Sequence, residues 1–139
     1  MEDVIKWGIM SGQTKRLESA KLSMPDLVLE KEGKYVWRTD LLASKDYWKD
    51  WFKGMNSCFL NCTIPKTLVI ASNDRMDKEL TIAQMQGKFK LVSFIDVGHT
   101  IQEDAPDDLA DKIKEFIDIF KIKTKYNEKK VITNAAGKQ

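Results

Sequence analysis

The sequence predicts an α/β fold in which parallel strands carry flanking helices, and three observations point to it. Thr67-Leu68-Val69-Ile70-Ala71 is an unbroken apolar run of the kind that forms a strand buried on both faces of a parallel sheet. Leu91-Val92-Ser93-Phe94-Ile95 is a second such run, and Leu80 to Lys88 between them can form the helix that a parallel crossover requires. After the second run, Leu109, Ile113, Phe116, Ile117 and Phe120 recur at the spacing of one helix face. With only two clear central strands, the sheet is expected to be incomplete and its edge open.

Taken in order, residues 2–10 read as a helix through Val4, Ile5, Trp7 and Ile9, stopped by Ser11-Gly12. Residues 13–34 form a weaker segment, a cap or loop with a short helix at most, because its apolar positions are sparse and Pro25 interrupts them. Glu30 to Lys34 is a charged turn with Gly33, and Tyr35 to Thr39 a short strand or extended piece. Ser44 then suits the N-cap of a strong helix bearing Tyr47, Trp48, Trp51, Phe52, Met55 and Phe59. That stripe reads as core packing, with an aromatic wall beside a site as the alternative. In the last helix, Asp104, Pro106, Asp107 and Asp108 at the start and Lys121 and Lys123 at the end match the capping and dipole preferences. Residues 1–121 are expected to form the domain portion and 122–139 a basic, flexible tail, since five lysines stand between Lys121 and Lys130.

At 139 residues the chain can bury the core of one domain. A formal charge of +2 offers no footprint for nucleic acid or an anionic membrane. No apolar run reaches the roughly 18 residues of a membrane span, and Met1-Glu2-Asp3 is acidic where a signal peptide is basic, so the cytoplasm is the expected compartment, with the nucleus as a second. Cys58 and Cys62 lack the further ligands of a metal site and read as free thiols facing the core or a groove. The sequence holds no Gly-rich phosphate loop and no internal repeat.

The candidate chemistry lies in Asp96-Val97-Gly98-His99-Thr100, which follows the second strand and holds the only histidine of the chain. In open α/β sheets the carboxyl edge is where ligands bind, so a catalytic histidine fits there, and so does a hydrogen-bonded loop residue. Asp74 follows the first strand at the same edge, within reach if the strands are neighbours, as two members of an acid–histidine–nucleophile set would be. The nucleophile is missing: no Gly-x-Ser-x-Gly elbow occurs, and Gly8-Ile9-Met10-Ser11-Gly12 places its serine one position late at a helix end. Ser11 and Cys58 are the remaining, weaker candidates for that role.

Several segments together are specific. Ser11-Gly12-Gln13 with Leu17-Glu18-Ser19-Ala20, Tyr47-Trp48 with Trp51-Phe52, Ile64-Pro65-Lys66, the run from Asp74 to Phe89, and Gly98-His99 with Glu103 to Asp107 resemble the C-terminal part of the protein phosphatase methylesterases. The resemblance covers about residues 2–121 and implies the C-terminal portion of an α/β-hydrolase fold. It further implies a serine carboxylesterase, without a cofactor, that demethylates the C-terminal leucine methyl ester of the protein phosphatase 2A catalytic subunit.

By that resemblance His99 is the catalytic histidine, while the serine elbow and the catalytic acid lie upstream of the matched part. Asp74 becomes either a structural loop residue or a second carboxylate beside the histidine. Gln84-Met85-Gln86-Gly87 matches a part of the family associated with phosphatase docking, which makes Met85 and Gln86 partner-binding candidates. Gap filling between helix and sheet is the other reading of Met85. The segment from Met24 to Lys34 is short where some members carry a long acidic insertion. The chain alone is expected to be inactive, and the alternative function is a non-catalytic phosphatase-binding module.

Overall fold

A computed structural model describes residues 1–71 and 75–123. The chain divides into two compact units, Met1–Pro106 and Asp107–Gln139. In the first, α1 (Glu2–Met10) starts with Glu2 and Asp3 in its first turn, where the helix dipole favours negative charge. It ends at Ser11, ahead of Gly12 at φ +78°. Its Gly8 lets α1 settle on fully buried Met24, since a Cβ at position 8 would stand 2.6 Å from the Met24 Cγ and Sδ. Helix α2 (Leu17–Ser23) runs into a 3-10 turn at Met24–Leu27, with Pro25 in the first positions, where its missing N–H costs nothing.

A hairpin follows. Strand β1 (Val28–Lys31) pairs antiparallel with β2 (Lys34–Trp37), from Val28 opposite Trp37 to Lys31 opposite Lys34. Glu32 and Gly33 between them both take positive φ, +51° and +73°, the signature of a tight turn whose twist matches the strands. Trp37 is thereby set edge-on to Trp7 of α1, with ring centroids 4.8 Å apart.

The single helix expected from Ser44 is replaced by three pieces. A 3-10 segment covers Leu41–Tyr47, α3 covers Trp48–Trp51 and α4 covers Met55–Asn61, with Gly54 at φ +76° breaking the last two apart. The cap is Asp40, whose carboxylate accepts the Leu42 and Ala43 N–H groups, while the Ser44 hydroxyl accepts from the Trp48 indole. Tyr47, Trp48, Trp51, Phe52 and Met55 are all exposed, so the stripe does not form core among the described residues. Cys58 and Cys62 are likewise exposed free thiols, not inward-facing.

Strand β3 (Thr67–Ala71) and β4 (Lys90–Phe94) form a parallel pair, Thr67 opposite Lys90 and Ala71 opposite Phe94, joined through α5 (Lys78–Met85). Asp77 caps α5 by accepting the Leu80 N–H at 2.8 Å, and its carboxyl is held below the usual range by that bond and by the Asn56 amide. The pair is a partial α/β sheet. Its strands are half-buried rather than covered on both faces, with only their last residues, Ala71 and Phe94, buried. Phe89 packs edge-on to Phe59 of α4, centroids 5.2 Å apart. The buried apolar set joins Ala20, Met24 and Val28 with Ala71, Ala83, Phe94, Val97 and Ile101. After the short α6 (Ile101–Asp104), α7 (Pro106–Ile119) opens on Pro106 with Asp107 and Asp108 in its first turn, as expected. No residue of α7 is buried. Residues 124–139, most of the expected tail, lie outside the described residues.

Candidate active site

The site forms where β4 ends. Ile95 is exposed, Asp96 turns the chain at φ +62°, Val97 and Gly98 dive back into the interior, and His99 emerges at the surface. What holds this turn is the segment after α1. The His99 N–H donates to the Gly12 carbonyl at 2.9 Å and the Thr100 N–H to the Gln13 carbonyl at 3.0 Å. The Thr100 hydroxyl donates to the same Gln13 oxygen at 2.8 Å. The two segments touch so closely that a Cβ on Gly98 would stand 2.6 Å from Thr14 Cα and 2.8 Å from the Gln13 carbonyl oxygen. Glycine is therefore required at 98 by close backbone approach.

Beneath the loop lies Asp104, with no exposed surface. Its carboxylate accepts the N–H groups of Gly98 (2.7 Å), Lys15 (2.7 Å) and Arg16 (3.1 Å). Burial pushes its pKa up, but these backbone donors, with the Ser19 hydroxyl, more than offset that, and the carboxyl is held below its ordinary value. Next to it, the Ser19 hydroxyl donates to the Glu103 carbonyl and the Ser23 hydroxyl to the Glu103 carboxylate, tying α2 to α6. The Lys15 ammonium turns outward to Asp96 at 2.9 Å.

A cavity of about 380 Å³ opens at this edge, lined by Ser11, Gly12, Gln13, Ala71, Val97, Gly98 and His99. Ala71 is the last residue of β3, so the cavity sits at the carboxyl end of both parallel strands. Gln13 also lines a second, apolar cleft of about 290 Å³ formed with Trp7, Leu27, Trp37, Thr39 and Leu41. The structure thus brings His99 and Ser11 to one cavity. Ser11 remains a helix-end residue whose hydroxyl donates to the Gly8 carbonyl at 3.2 Å. Cys58, in α4, is not among the cavity's lining residues. Asp74 lies outside the described residues. Met85, the last residue of α5, is 79% exposed and so does not fill a gap between helix and sheet. Gln86 follows it as the C-cap, before Gly87 at φ +71°. Among the described residues no group of three or more His, Cys, Asp or Glu could hold a metal ion, and no helix is long and apolar enough to cross a membrane.

No protein-family model matches the chain. Individual proteins do. A probable protein phosphatase methylesterase 1 of Caenorhabditis elegans is 45% identical over 117 residues, covering 84% of this chain and 32% of its own length. The protein phosphatase methylesterase 1 of Yarrowia lipolytica is 42% identical over 130 residues, covering 92% of this chain and 30% of its own length. The chain belongs to the protein phosphatase methylesterase family. It spans about a third of the length of these two methylesterases. The human methylesterase is 33% identical over 160 residues, covering 84% of this chain and 42% of its own length. That alignment is longer than the stretch of this chain it covers, so the human methylesterase carries additional residues within the matched span.

Reasoning from sequence missed Asp104. The acidic cluster before Pro106 reads as charge placed to complement a helix dipole, and nothing in the pattern marks one of its members as a buried acceptor. The signal that could have found it is Gly98 immediately before the lone histidine, because a glycine at that point announces a backbone in close contact.

Proposed function

We propose that this chain is the histidine-bearing part of a methylesterase that hydrolyses the methyl ester on the C-terminal leucine of the protein phosphatase 2A catalytic subunit. The observation that carries the reading is His99 itself. It stands at the carboxyl edge of the parallel pair, beside a cavity, on a loop fixed by backbone hydrogen bonds to Gly12 and Gln13. In this reading a serine outside the chain attacks the ester carbonyl while His99 takes the hydroxyl proton. His99 then gives that proton to departing methanol, and afterwards draws one from water, which attacks the acyl-enzyme, and returns it to the serine oxygen as the leucine carboxylate is freed. Asp74 is assigned a supporting carboxylate role, and Met85 with Gln86 a surface for the phosphatase. An exposed, adaptable thioether at a helix end favours that docking role.

The test is release of methanol from a methyl-esterified phosphatase C-terminus, by this chain and by a full-length methylesterase that carries it, each with and without His99→Ala. The full-length enzyme should lose activity by on the order of 10⁶-fold on that substitution. Full activity in the variant would overturn the role of His99, and turnover by the chain alone would overturn an outside nucleophile. Phosphatase binding that survives His99→Ala but weakens at least tenfold with Met85→Glu would support the docking surface, and unchanged binding with Met85→Glu would remove it. A sharp, cooperative thermal melt of the chain alone, with phosphatase binding and no turnover, would instead describe a non-catalytic phosphatase-binding module.

A further inference from the structure

We propose that Asp104 is the positioning residue for His99: its buried carboxylate clamps the strand-end loop to the segment after α1 and so sets where the imidazole stands. The inference rests on the catalytic reading of His99 for its purpose, and on geometry alone for its existence. A carboxylate offers lone pairs for several donors, and here three backbone N–H groups from two distant segments converge on one side chain. Gly98 donates from the residue immediately before His99, while Lys15 and Arg16 donate from just beyond Gly12 and Gln13, whose carbonyls receive the His99 and Thr100 N–H groups. The two strands of this clasp are therefore linked twice, directly and through Asp104. Charge-assisted bonds of this kind are roughly twice as strong as neutral ones, and in a buried setting they fix position as well as holding energy.

The alternative, that Asp104 merely neutralises local positive charge, does not fit. The Lys15 ammonium is bonded to Asp96, so what Lys15 and Arg16 are shown to offer Asp104 is main-chain N–H. Glu103, the adjacent acid, is taken by the Ser23 hydroxyl and does not share the clasp. An asparagine at 104 has the right shape and the wrong chemistry, since its NH₂ end would meet an N–H donor and leave it unsatisfied.

Because His99 is the only histidine of the chain, its imidazole gives one unambiguous signal by nuclear magnetic resonance. In the wild-type chain the Gly98, Lys15 and Arg16 amide protons should lie downfield and shift together on acidification, with one shared midpoint below 3.8. The His99 and Thr100 amides should lose exchange protection at that same midpoint. Asp104→Asn should move the imidazole signal and speed exchange at the His99 and Thr100 amides at least tenfold, while Ala83 and Phe89 report an intact fold. Ser23→Ala, which removes only the bond to Glu103, should leave the imidazole signal in place. Unchanged imidazole and exchange in Asp104→Asn would overturn the proposal. Separate midpoints for the three wild-type amides would overturn it too, and that measurement decides the matter if the variant does not fold. The spectra read the loop whether or not an ester is turned over, so a failed esterase assay and a failed clasp are distinguishable.

Discussion

Gly98→Ala puts the close approach of the two backbones to a direct test. The added methyl carbon would sit 2.6 Å from Thr14 Cα, 2.8 Å from Thr14 C and 2.8 Å from the Gln13 carbonyl oxygen, all main-chain atoms that no rotamer change can move aside. Overpacking of a tight site costs about 1–3 kcal/mol. Separating the segments also weakens the bonds from His99 to Gly12, from Thr100 to Gln13 and from Gly98 to Asp104, each worth roughly 0.5–1.5 kcal/mol when neutral and more when charged. Restricting the unfolded chain returns about 0.4–1 kcal/mol. A net loss of about 2–3 kcal/mol should lower the melting temperature by roughly 8–12 °C for a chain of this size. Thermal and urea unfolding measure it, with Gly12→Ala as the comparison. At Gly12 the φ is +78° but a Cβ meets nothing within 4 Å, so only the left-handed strain of about 1–2 kcal/mol applies. A Gly98→Ala variant that melts within 2 °C of wild type, or above Gly12→Ala, would refute the reasoning.

Three further outcomes follow from the same contacts. Asp104 has a lowered native pKa, so its contribution to stability is present above the unfolded value of 3.8 and is lost as the pH falls through the native value. Urea midpoints measured from pH 5 downward should fall more steeply for wild type than for Asp104→Asn. Both thiols are exposed, so a thiol reagent should label Cys58 and Cys62 in the native chain at rates within tenfold of the unfolded chain, and protection of either would contradict the placement of α4. Trp37→Ala removes the edge-on contact with Trp7 and should cost about 1–2 kcal/mol in the urea midpoint, with a change in tryptophan fluorescence.

Periodicity carried the central unit. Continuous apolar runs and a helix-length gap announced β3, α5 and β4, and the register shows them parallel neighbours. The histidine loop was legible by its place after a strand. The aromatic stripe was not, because helical spacing shows that residues share a face without showing that anything covers it, and Gly54 breaks the face besides. Strand β1 escaped notice because Val28 and Leu29 are its only apolar residues; its partner across the turn makes it a strand. Asp104 was hidden by company: three acids in five residues look like one electrostatic feature, and only the fold separates the buried one from Asp107 and Asp108.

The clasp at Asp104 has a consequence for the order of events in folding. Its carboxylate joins positions 89 and 88 residues away, so closing it must confine nearly the whole first unit. The entropy of ring closure over such a span is about 4 kcal/mol by the logarithmic rule, set against bonds that form only once the ends have met. Local pieces, the hairpin and the β3–α5–β4 crossover, can form early at little cost, whereas the histidine loop waits for both ends of the unit. His99 thus reaches its place late, as a marker that the unit has closed around it.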